Sequence, residues 1–446
     1  MNIRHRVGGM TGVMTTALVL AMAAPAQAQT GHVLPSAGAT NMSFGGASTA
    51  APVDAAGALQ WNPATIGEVA EVEFTLGMEL FVPKTEIASS VPTQTGGTFA
   101  GSTQSDFGVS PIPTFGIVHR PRNARWAVGV GAIGIGGFGV DYPADPNNPI
   151  TMPQAGRTGQ PVGGFGSIYS SYQLLQLSPA FAYKLSDWLW VGGGPAITWA
   201  SLSVSPFPAA PPDSSTSVYN SASHAATSFG GGFQVGMYAP LDFGLGIGAS
   251  YKSTQWFGSF DFNAENDLGE ARTLTFDLDY PAITSFGLSY SGLDRFLFAA
   301  DARYIQFADT DGFQEAGFGE QYQVTGFGWK NAWLFAAGAQ YVALDWLTLR
   351  IGDSWNSQVI DNQDSFFNVA APGIIQHQIY GGASFGVGDH FVLTLAARHG
   401  FENSIADPMY MPTGTGEQVM AGTEVKSTLS TTSVALNLAW RLGARK

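Results

Sequence analysis

The sequence predicts an all-β fold, a fourteen-stranded antiparallel transmembrane β-barrel with an N-terminal plug, or hatch, inside its lumen. Three observations lead to this prediction. Segments of about ten residues alternate apolar and polar side chains, the pattern of membrane-barrel strands. Very short polar turns alternate with long loops. The chain also starts with an export signal, and only 12% of its 446 residues are charged, about half the usual fraction.

The export signal occupies residues 1–28. Arg4 and Arg6 make its start positive, an apolar run extends from Met10 to Pro25, and Ala26-Gln27-Ala28 fits the small-x-small cleavage rule. The apolar run is too short to cross a hydrocarbon core of about 30 Å. We therefore predict cleavage after Ala28, with Ala26 as the alternative, and an exported mature protein.

The overall composition excludes several classes of protein. A hydrophobic content of 45% excludes disorder, and the 57 glycines have no three-residue period, which excludes collagen. The net charge of −14 is opposite to what a nucleic-acid binder needs. Because the chain has no cysteine, disulfides, thiol catalysis and cysteine-ligated zinc are also excluded.

The strand pattern is clearest near the two ends of the mature chain. From Val72 to Val82, every second residue is apolar, and Glu73 and Glu79 lie on the opposite face. Residues 433–442 repeat this alternation. In the segment 293–307, Asp301 and Arg303 share one face. Since a charge on the lipid face costs about 2–4 kcal/mol at the membrane midplane, we expect these charged side chains to face the lumen.

Six short turns alternate with seven long loops, which gives fourteen strands and places both barrel ends on the short-turn side. A soluble two-sheet sandwich is the alternative, but export, low charge and the loop asymmetry favour the barrel. The short turns lie at 121–123, 186–187, 240–242, 292–294, 344–345 and 388–389. The long loops occupy roughly 84–109, 141–167, 204–225, 258–271, 308–328, 357–372 and 401–430.

Residues 29–71 lack the strand pattern and are small, turn-rich and almost uncharged. Unpaired backbone cannot face lipid, but it can lie inside a barrel. We therefore predict a hatch over 29–71 and a barrel over 72–446; a disordered periplasmic tail is the alternative for the first segment.

The mature chain resembles the FadL/TodX family of outer-membrane transporters for long-chain fatty acids and aromatic hydrocarbons. The resemblance rests on the stretch from Ser43 to Ala50, on Asp54-Ala55-Ala56 and on Trp61-Asn62-Pro63-Ala64, which resembles the family's Asn-Pro-Ala hatch motif. Barrel segments such as Ser178-Pro179-Ala180 and Leu349-Arg350-Ile351-Gly352 are similar as well. The likeness covers essentially the whole mature chain.

This resemblance implies passive uptake of a hydrophobic molecule across the bacterial outer membrane. The ligand is caught by outer loops, enters an apolar lumen pocket and leaves sideways after the hatch, with Asn62, Pro63 and Ala64, has moved. A cluster of glycines in the third strand is a physical candidate for the side gap, since glycines in a strand mark bulges and bends. The gap candidates are Gly129, Gly131, Gly134, Gly136, Gly137 and Gly139.

Long-chain fatty acids are the favoured ligand, and monoaromatic hydrocarbons are the alternative. Arg303, Arg350 and Arg398 are candidates for binding a fatty-acid carboxylate, because guanidinium groups bind carboxylates with two hydrogen bonds. Simple pairing of these charges within the lumen is the other interpretation. A general porin or a structural barrel is a different class of function; few lumen charges and the plug argue against it.

We expect no catalytic residues, no metal ligands and no cofactor. The Gly129-x-Gly131-x-x-Gly134 pattern is followed by no helix, and Gly382-Ala383-Ser384-Phe385-Gly386 lies within one strand, so neither fits a nucleotide site or a hydrolase. The expected partners are the hydrophobic ligand and outer-membrane lipid, and we expect a monomer that binds no nucleic acid.

Overall fold

The fold is a sheet of fourteen long antiparallel strands that closes on itself. The structure, a computed structural model, describes residues 30–154, 164–213, 218–265, 270–413 and 416–443. The predicted signal at 1–28 lies outside these residues. The barrel strands are β1 Val72–Pro92, β2 Ser110–His119, β3 Trp126–Tyr142, β4 Ile168–Ser186, β5 Leu189–Ser205, β6 Ala222–Pro240, β7 Leu245–Lys252, β8 Ala282–Tyr290, β9 Phe296–Gln306, β10 Ala332–Leu344, β11 Leu347–Asn356, β12 His377–Val387, β13 Phe391–Asp407 and β14 Glu424–Leu442.

Closure is made by β1, which pairs with β2 on one side and with β14 on the other. The register runs from Val72 opposite Leu442 to Ser90 opposite Glu424. Each barrel strand of the described chain has two neighbours, so the sheet closes on itself as a membrane wall requires. The predicted fourteen-stranded barrel is confirmed.

Apolar and polar side chains alternate along β1, so they lie on opposite faces of the barrel wall. On β1, Leu76, Leu80 and Val82 are exposed toward the lipid, whereas Glu73 and Glu79 are buried in the lumen. Apolar side chains outside and polar ones inside are what a barrel in lipid requires. The period-2 pattern therefore predicted the facing of these residues correctly.

Short and long connections lie at opposite ends of the barrel, as predicted. Some strands extend further outward than the sequence indicated: β1 reaches Pro92 and β13 reaches Asp407. These extensions are held by pairing beyond the lipid zone, where polar residues such as Ser89 and Ser90 continue the ladder. The loops also contain the short strands Thr98–Gln104, Trp256–Phe257, Phe260–Glu265, Ala271–Phe276, Tyr410–Thr413 and Gly416–Val419. Short 3-10 helices lie at Pro149–Thr151, Asp242–Gly244, Asn362–Asp364 and Phe366–Asn368.

Residues 30–71 fill the lumen and contain two α-helices, α1 Gly38–Ser43 and α2 Ala55–Trp61, followed by a 3-10 helix at Pro63–Glu68. Residues 30–51 are buried without interruption. Among the described residues, no helix is long and apolar enough to cross a membrane.

The hatch helices have specific ends. The Asp54 carboxylate accepts a hydrogen bond from Gly57 N at 3.0 Å and so caps the start of α2. Asn62 ends α2 and its side chain caps the 3-10 helix, in which Pro63 takes the first position. The sequence Asp54 to Pro63 thus fixes the local shape of the hatch.

Candidate functional site

The hatch is held to the barrel by a buried ion pair on β9. Asp301 and Arg303 are two residues apart, so both point into the lumen. Asp301 Oδ2 accepts hydrogen bonds from Ser48 N at 2.9 Å, from Thr49 N at 3.0 Å and from Thr49 Oγ1 at 2.8 Å. One carboxylate of the barrel therefore accepts three hydrogen bonds from two neighbouring residues of the hatch, Ser48 and Thr49.

Arg303 completes this clamp. Its Nη2 donates to Asp301 Oδ2 at 2.8 Å and to Gly46 O at 2.5 Å, and its Nη1 donates to Pro35 O at 2.9 Å. The guanidinium carbon lies 3.5 Å from the ring centroid of Trp61, a cation–π contact. Both charged side chains are almost completely buried. Arg303 therefore joins hatch segments that are distant in sequence.

A second attachment lies near the short-turn end. Glu73 Oε1 accepts from Ala55 N at 2.7 Å, and its Oε2 accepts from Arg441 Nε at 2.7 Å. Arg441 also donates to Val53 O at 3.1 Å. The start of α2 is therefore tied to β1 and β14, the two strands that close the barrel.

Asn62 of the predicted hatch motif connects the hatch to the wall. Its Nδ2 donates to Thr49 O at 2.7 Å and to Met237 O of β6 at 2.9 Å, while its Oδ1 accepts from Ala64 N at 3.1 Å. Ala64 packs so closely on β5 that a Cβ on Gly192 would lie 2.8 Å from its backbone. The Asn62-Pro63-Ala64 motif thus stabilises the turn that follows α2 and packs this turn against β5 and β6.

The three arginines proposed from the sequence have different partners. Arg303 belongs to the clamp, and Arg398 pairs with Glu79 at 2.6 Å. Arg350 donates to Gln340 Oε1 at 2.7 Å and to Ser384 Oγ at 2.6 Å. In the described part of the chain, no carboxylate lies within ion-pair distance of Arg350.

The glycine-rich strand β3 separates from β2 halfway along its length, although it stays paired with β4 up to Tyr142. Its pairing with β2 ends at Thr114 opposite Ile133. Beyond that point, residues 133–140 are all buried, so the alternation that marks a lipid-facing strand stops. A register shift between Gly134 and Gly136 bulges the strand where it pairs with β4.

The start of the hatch supplies the missing partner of β3. Leu34 N donates to Ile135 O at 3.0 Å, and Gly137 N donates to His32 O at 3.0 Å. A Cβ on Gly136 would collide with the His32 carbonyl oxygen. We call residues 30–34 the arm; it completes the wall where β2 and β3 separate.

An apolar cavity lies beside β3, next to the part of this strand that the arm contacts. It is formed by β3, β4, β5 and five loops, and its lining contains no ionisable side chain. The lining residues are Phe138, Phe165, Ile168, Ser170, Leu202, Val204, Pro206, Phe207, Pro208, Ala209, Phe276, Val324, Gly326, Phe327, Phe366, Phe367, Val369 and Ala370. Such a surface suits an uncharged or largely aliphatic molecule.

Sequence reasoning did not find this cavity, because its walls come from loops that meet only in the fold. The density of phenylalanine and proline at 206–209 and 366–367 was the available signal. Among the described residues, no group of three or more side chains could hold a metal ion.

Burial sets the protonation of the hatch carboxylate Asp54. Desolvation, and next the charge of Glu73, raise the pKa of Asp54 from 3.8 to about 7, although the Gly57 amide opposes this shift. The neutral acid is therefore favoured in the docked hatch. The neutral side chain of Asp54 contributes fully to the stability of the docked hatch below the ordinary pKa of 3.8. This contribution is lost as the pH rises through the raised pKa of about 7.

Weakening the clamp should open the lumen. Asp301→Asn leaves Arg303 buried without its counter-charge, which costs about 3–5 kcal/mol when a buried pair is broken. We expect a folded barrel whose single-channel conductance is clearly higher than that of the native protein. Asp345→Asn, in a short turn, is the matched control, and equal conductance for native and Asp301→Asn barrels would contradict the clamp.

The hatch should also respond to pH through Asp54. We expect background conductance to rise between about pH 4 and pH 7, because the charged carboxylate is poorly tolerated in the docked hatch. Asp54→Asn should flatten this dependence. A conductance that rises equally in both proteins would assign the effect to another group.

The family model described as "Outer membrane protein transport protein (OMPP1/FadL/TodX)" matches residues 17–371. Among curated proteins, none matches the sequence significantly. Solved structures match the fold over most of the chain.

Three of these structures illustrate the match. The toluene transporter TodX of P. putida is 16% identical, with a TM-score of 0.65, over 92% of this chain and 100% of its own. A FadL homologue of Pseudomonas aeruginosa is 15% identical, with a TM-score of 0.68, over 92% and 99%. The Ralstonia pickettii toluene transporter TbuX is 17% identical, with a TM-score of 0.63, over 92% and 99%. Because the family model covers most of the sequence, the chain belongs to the OMPP1/FadL/TodX family of outer-membrane transport proteins for hydrophobic compounds.

Proposed function

We propose that the protein takes up hydrophobic small molecules passively, through loop capture, an apolar pocket, hatch movement and lateral release beside β3. The observation that carries this proposal is the position of the arm. It is hydrogen-bonded to Ile135 and Gly137 of β3, just beyond the point where β3 separates from β2 and next to Phe138, which lines the apolar cavity. A molecule in the cavity that shifts the arm reaches the lipid.

Lateral release has a physical advantage over release into the periplasm. Each CH₂ group that enters water costs about 0.8 kcal/mol, so a ligand that passes directly from the cavity to lipid avoids a high barrier. The outside of the separation is covered by small contacts: Ile112 lies against Gly134, and Phe107 lies against Gly139. We propose the arm and the β3 glycines beyond Ile133, namely Gly134, Gly136, Gly137 and Gly139, as the moving parts. We propose Asn62, Pro63 and Ala64 as the anchor that holds the rest of the hatch to the wall.

Long-chain fatty acids are the ligands that we favour, because the lumen contains cations to receive a carboxylate. Lys252 is buried and has no carboxylate within ion-pair distance among the described residues. Its Nζ lies 5.9 Å from the ring centroid of Trp61 and 3.3 Å from Gln176 Oε1. Trp61 Nε1 and Arg303 Nε, both nearby, have no hydrogen-bond partner in the described protein.

These donors extend the carboxylate site expected from the sequence. Arg303 forms an ion pair with Asp301, and Arg398 forms one with Glu79. Among the described residues, Lys252 and Arg350 have no carboxylate within ion-pair distance. Buried charges that lack a counter-charge are unfavourable, and a carboxylate ligand would relieve this cost. We therefore propose Lys252 as the first receiver, with Arg350 as a later one.

Monoaromatic hydrocarbons are the second candidate ligands. The cavity beside β3 has no basic side chain, which favours an uncharged molecule there. A general porin is a weaker candidate, since an open diffusion channel needs a free lumen and residues 30–51 fill this one.

Outer-membrane lipid and the ligand are the proposed partners, and we propose a monomer because one chain closes its own barrel. Saturable binding of labelled oleate, competed by unlabelled oleate and by toluene, tests the ligand class. Competition by oleate alone supports fatty acids. Displacement by toluene supports hydrocarbons, and the absence of binding by both, with high conductance, would support a porin.

Lys252→Met should weaken oleate binding by about tenfold, the effect of losing a charge-assisted hydrogen bond. Toluene binding should stay unchanged, because the substitution keeps the apolar length of the side chain. Lys330→Met is the matched control, since Lys330 lies exposed and pairs with Asp361. Unchanged oleate affinity in Lys252→Met would move the carboxylate site elsewhere.

Gly136→Ala should release the arm from β3, since the new Cβ collides with the His32 carbonyl oxygen. We expect normal barrel assembly and faster transfer of oleate into proteoliposomes. Gly131→Ala is the control on the same strand, because its Cβ would meet only side chains at 3.3 Å or more. Equal rates for the two variants would contradict gating by the arm.

A further inference from the structure

We propose that the aromatic side chains around His32 form a binding site for one uncharged aromatic ring, and that the imidazole of His32 occupies this site while the hatch is closed. The inference rests on the proposed function and adds a site and a ligand class to it. A single-ring hydrocarbon such as toluene would displace His32 and free the arm.

The site is a cage of rings, which we call the His32 cage. The His32 imidazole stacks on Phe313 with a centroid distance of 5.0 Å and an interplanar angle of 3°. Tyr280 meets it edge-on at 5.3 Å. The other walls, at 5.5 to 5.8 Å, are Phe307, Trp329 and Tyr172. Rings at these distances on several sides define a slot for one flat ring.

Histidine is a poor occupant of this slot. The side chain is completely buried, and neither ring nitrogen has a hydrogen-bond partner in the described protein. The hydroxyl groups of Tyr172 and Tyr280 are also unpartnered. Unpaired polar groups are unfavourable in an apolar interior, so an apolar ring of similar size gains more from the same contacts.

Burial also keeps the imidazole uncharged. It lowers the pKa of His32 to about 3, so the ring that the cage holds near neutral pH is a neutral aromatic one. The cage therefore already accommodates the class of ligand that we propose. Carboxylate ligands fit it less well, since its walls offer no cation.

The backbone of the same residue connects the cage to the wall. His32 O accepts the hydrogen bond from Gly137 N, and Leu34 N donates to Ile135 O two residues later. A ligand that removes the imidazole from the cage therefore also strains the two bonds that attach the arm to β3. Binding and opening are coupled through one residue.

The cavity leads directly to the cage. Phe138 lines the cavity and lies 5.2 Å from the Tyr172 ring. Phe327 also lines the cavity and lies 5.6 Å from Phe313 and 5.9 Å from Trp329. These two side chains line the cavity and also contact rings of the cage, so we propose that rotation of either ring connects the cavity to the cage.

Two substitutions at His32 should change toluene affinity in opposite directions. His32→Ala empties the cage and should tighten toluene binding by about tenfold, because no side chain competes. His32→Phe gives the cage an apolar occupant and should weaken binding by about tenfold. Tyr142→Phe is the control, since it removes another buried, unpartnered hydroxyl outside the cage.

The position of the arm gives an independent readout. Because the chain has no cysteine, Thr30→Cys introduces a single thiol at a buried position of the arm. Toluene should raise the rate of maleimide labelling at this thiol, and combination with His32→Phe should suppress the increase. Oleate serves as the comparison ligand in the same assay.

The outcomes separate this inference from the proposed function. Toluene binding with equal affinity in native, His32→Ala and His32→Phe proteins would overturn the cage and leave uptake intact. Binding of oleate but not of toluene would also overturn the cage and retain the transporter. If neither toluene nor oleate binds to the native protein or to the His32 variants, the proposed function itself is contradicted.

Discussion

Every backbone amide and carbonyl group in a membrane-spanning wall needs a partner, and strand β3 cannot find all of its partners in β2. Its ladder with β2 ends at Ile133, and the strand then turns inward. The arm supplies hydrogen bonds to Ile135 and Gly137. Because a hatch segment completes the wall at this point, we propose that movement of that segment opens the wall without breaking the barrel.

The hatch thus has two parts with different attachments. The body, residues 35–71, is bound through buried charged groups: Asp301 and Arg303 on β9 and Glu73 on β1. The arm is bound through two backbone hydrogen bonds to β3, one side-chain hydrogen bond from Thr30 to Asn356 and the rings around His32. A buried ion pair with several hydrogen bonds is costly to break, whereas a neutral ring without hydrogen bonds is easily replaced. We therefore propose that movement is confined to the arm.

Local pattern predicted much of this arrangement. Alternation over two residues is enough to place Glu73, Asp301 and Arg303 in the lumen, because a charge is excluded from the lipid face. The glycines of β3 marked the strand that bends, although their spacing does not indicate that Gly136 meets the arm. The partners of Asp301 lie about 250 residues earlier in the chain, and the cavity and the cage form from separate loops. Contacts between residues so far apart in the sequence form only when the barrel closes. The two-residue alternation within a single strand therefore does not predict them.

Movement of the arm alone is tested most directly by two engineered disulfides in this cysteine-free chain. Thr30→Cys with Asn356→Cys ties the arm to β11, where the side-chain oxygens lie 3.4 Å apart. Thr40→Cys with Thr394→Cys ties α1 to β13, at an oxygen separation of 3.3 Å. Oxidation of the first pair should stop oleate uptake until a reductant is added, and oxidation of the second should leave uptake unchanged. Continued uptake with the arm tied would contradict the role of the arm, as would a complete block by the second pair.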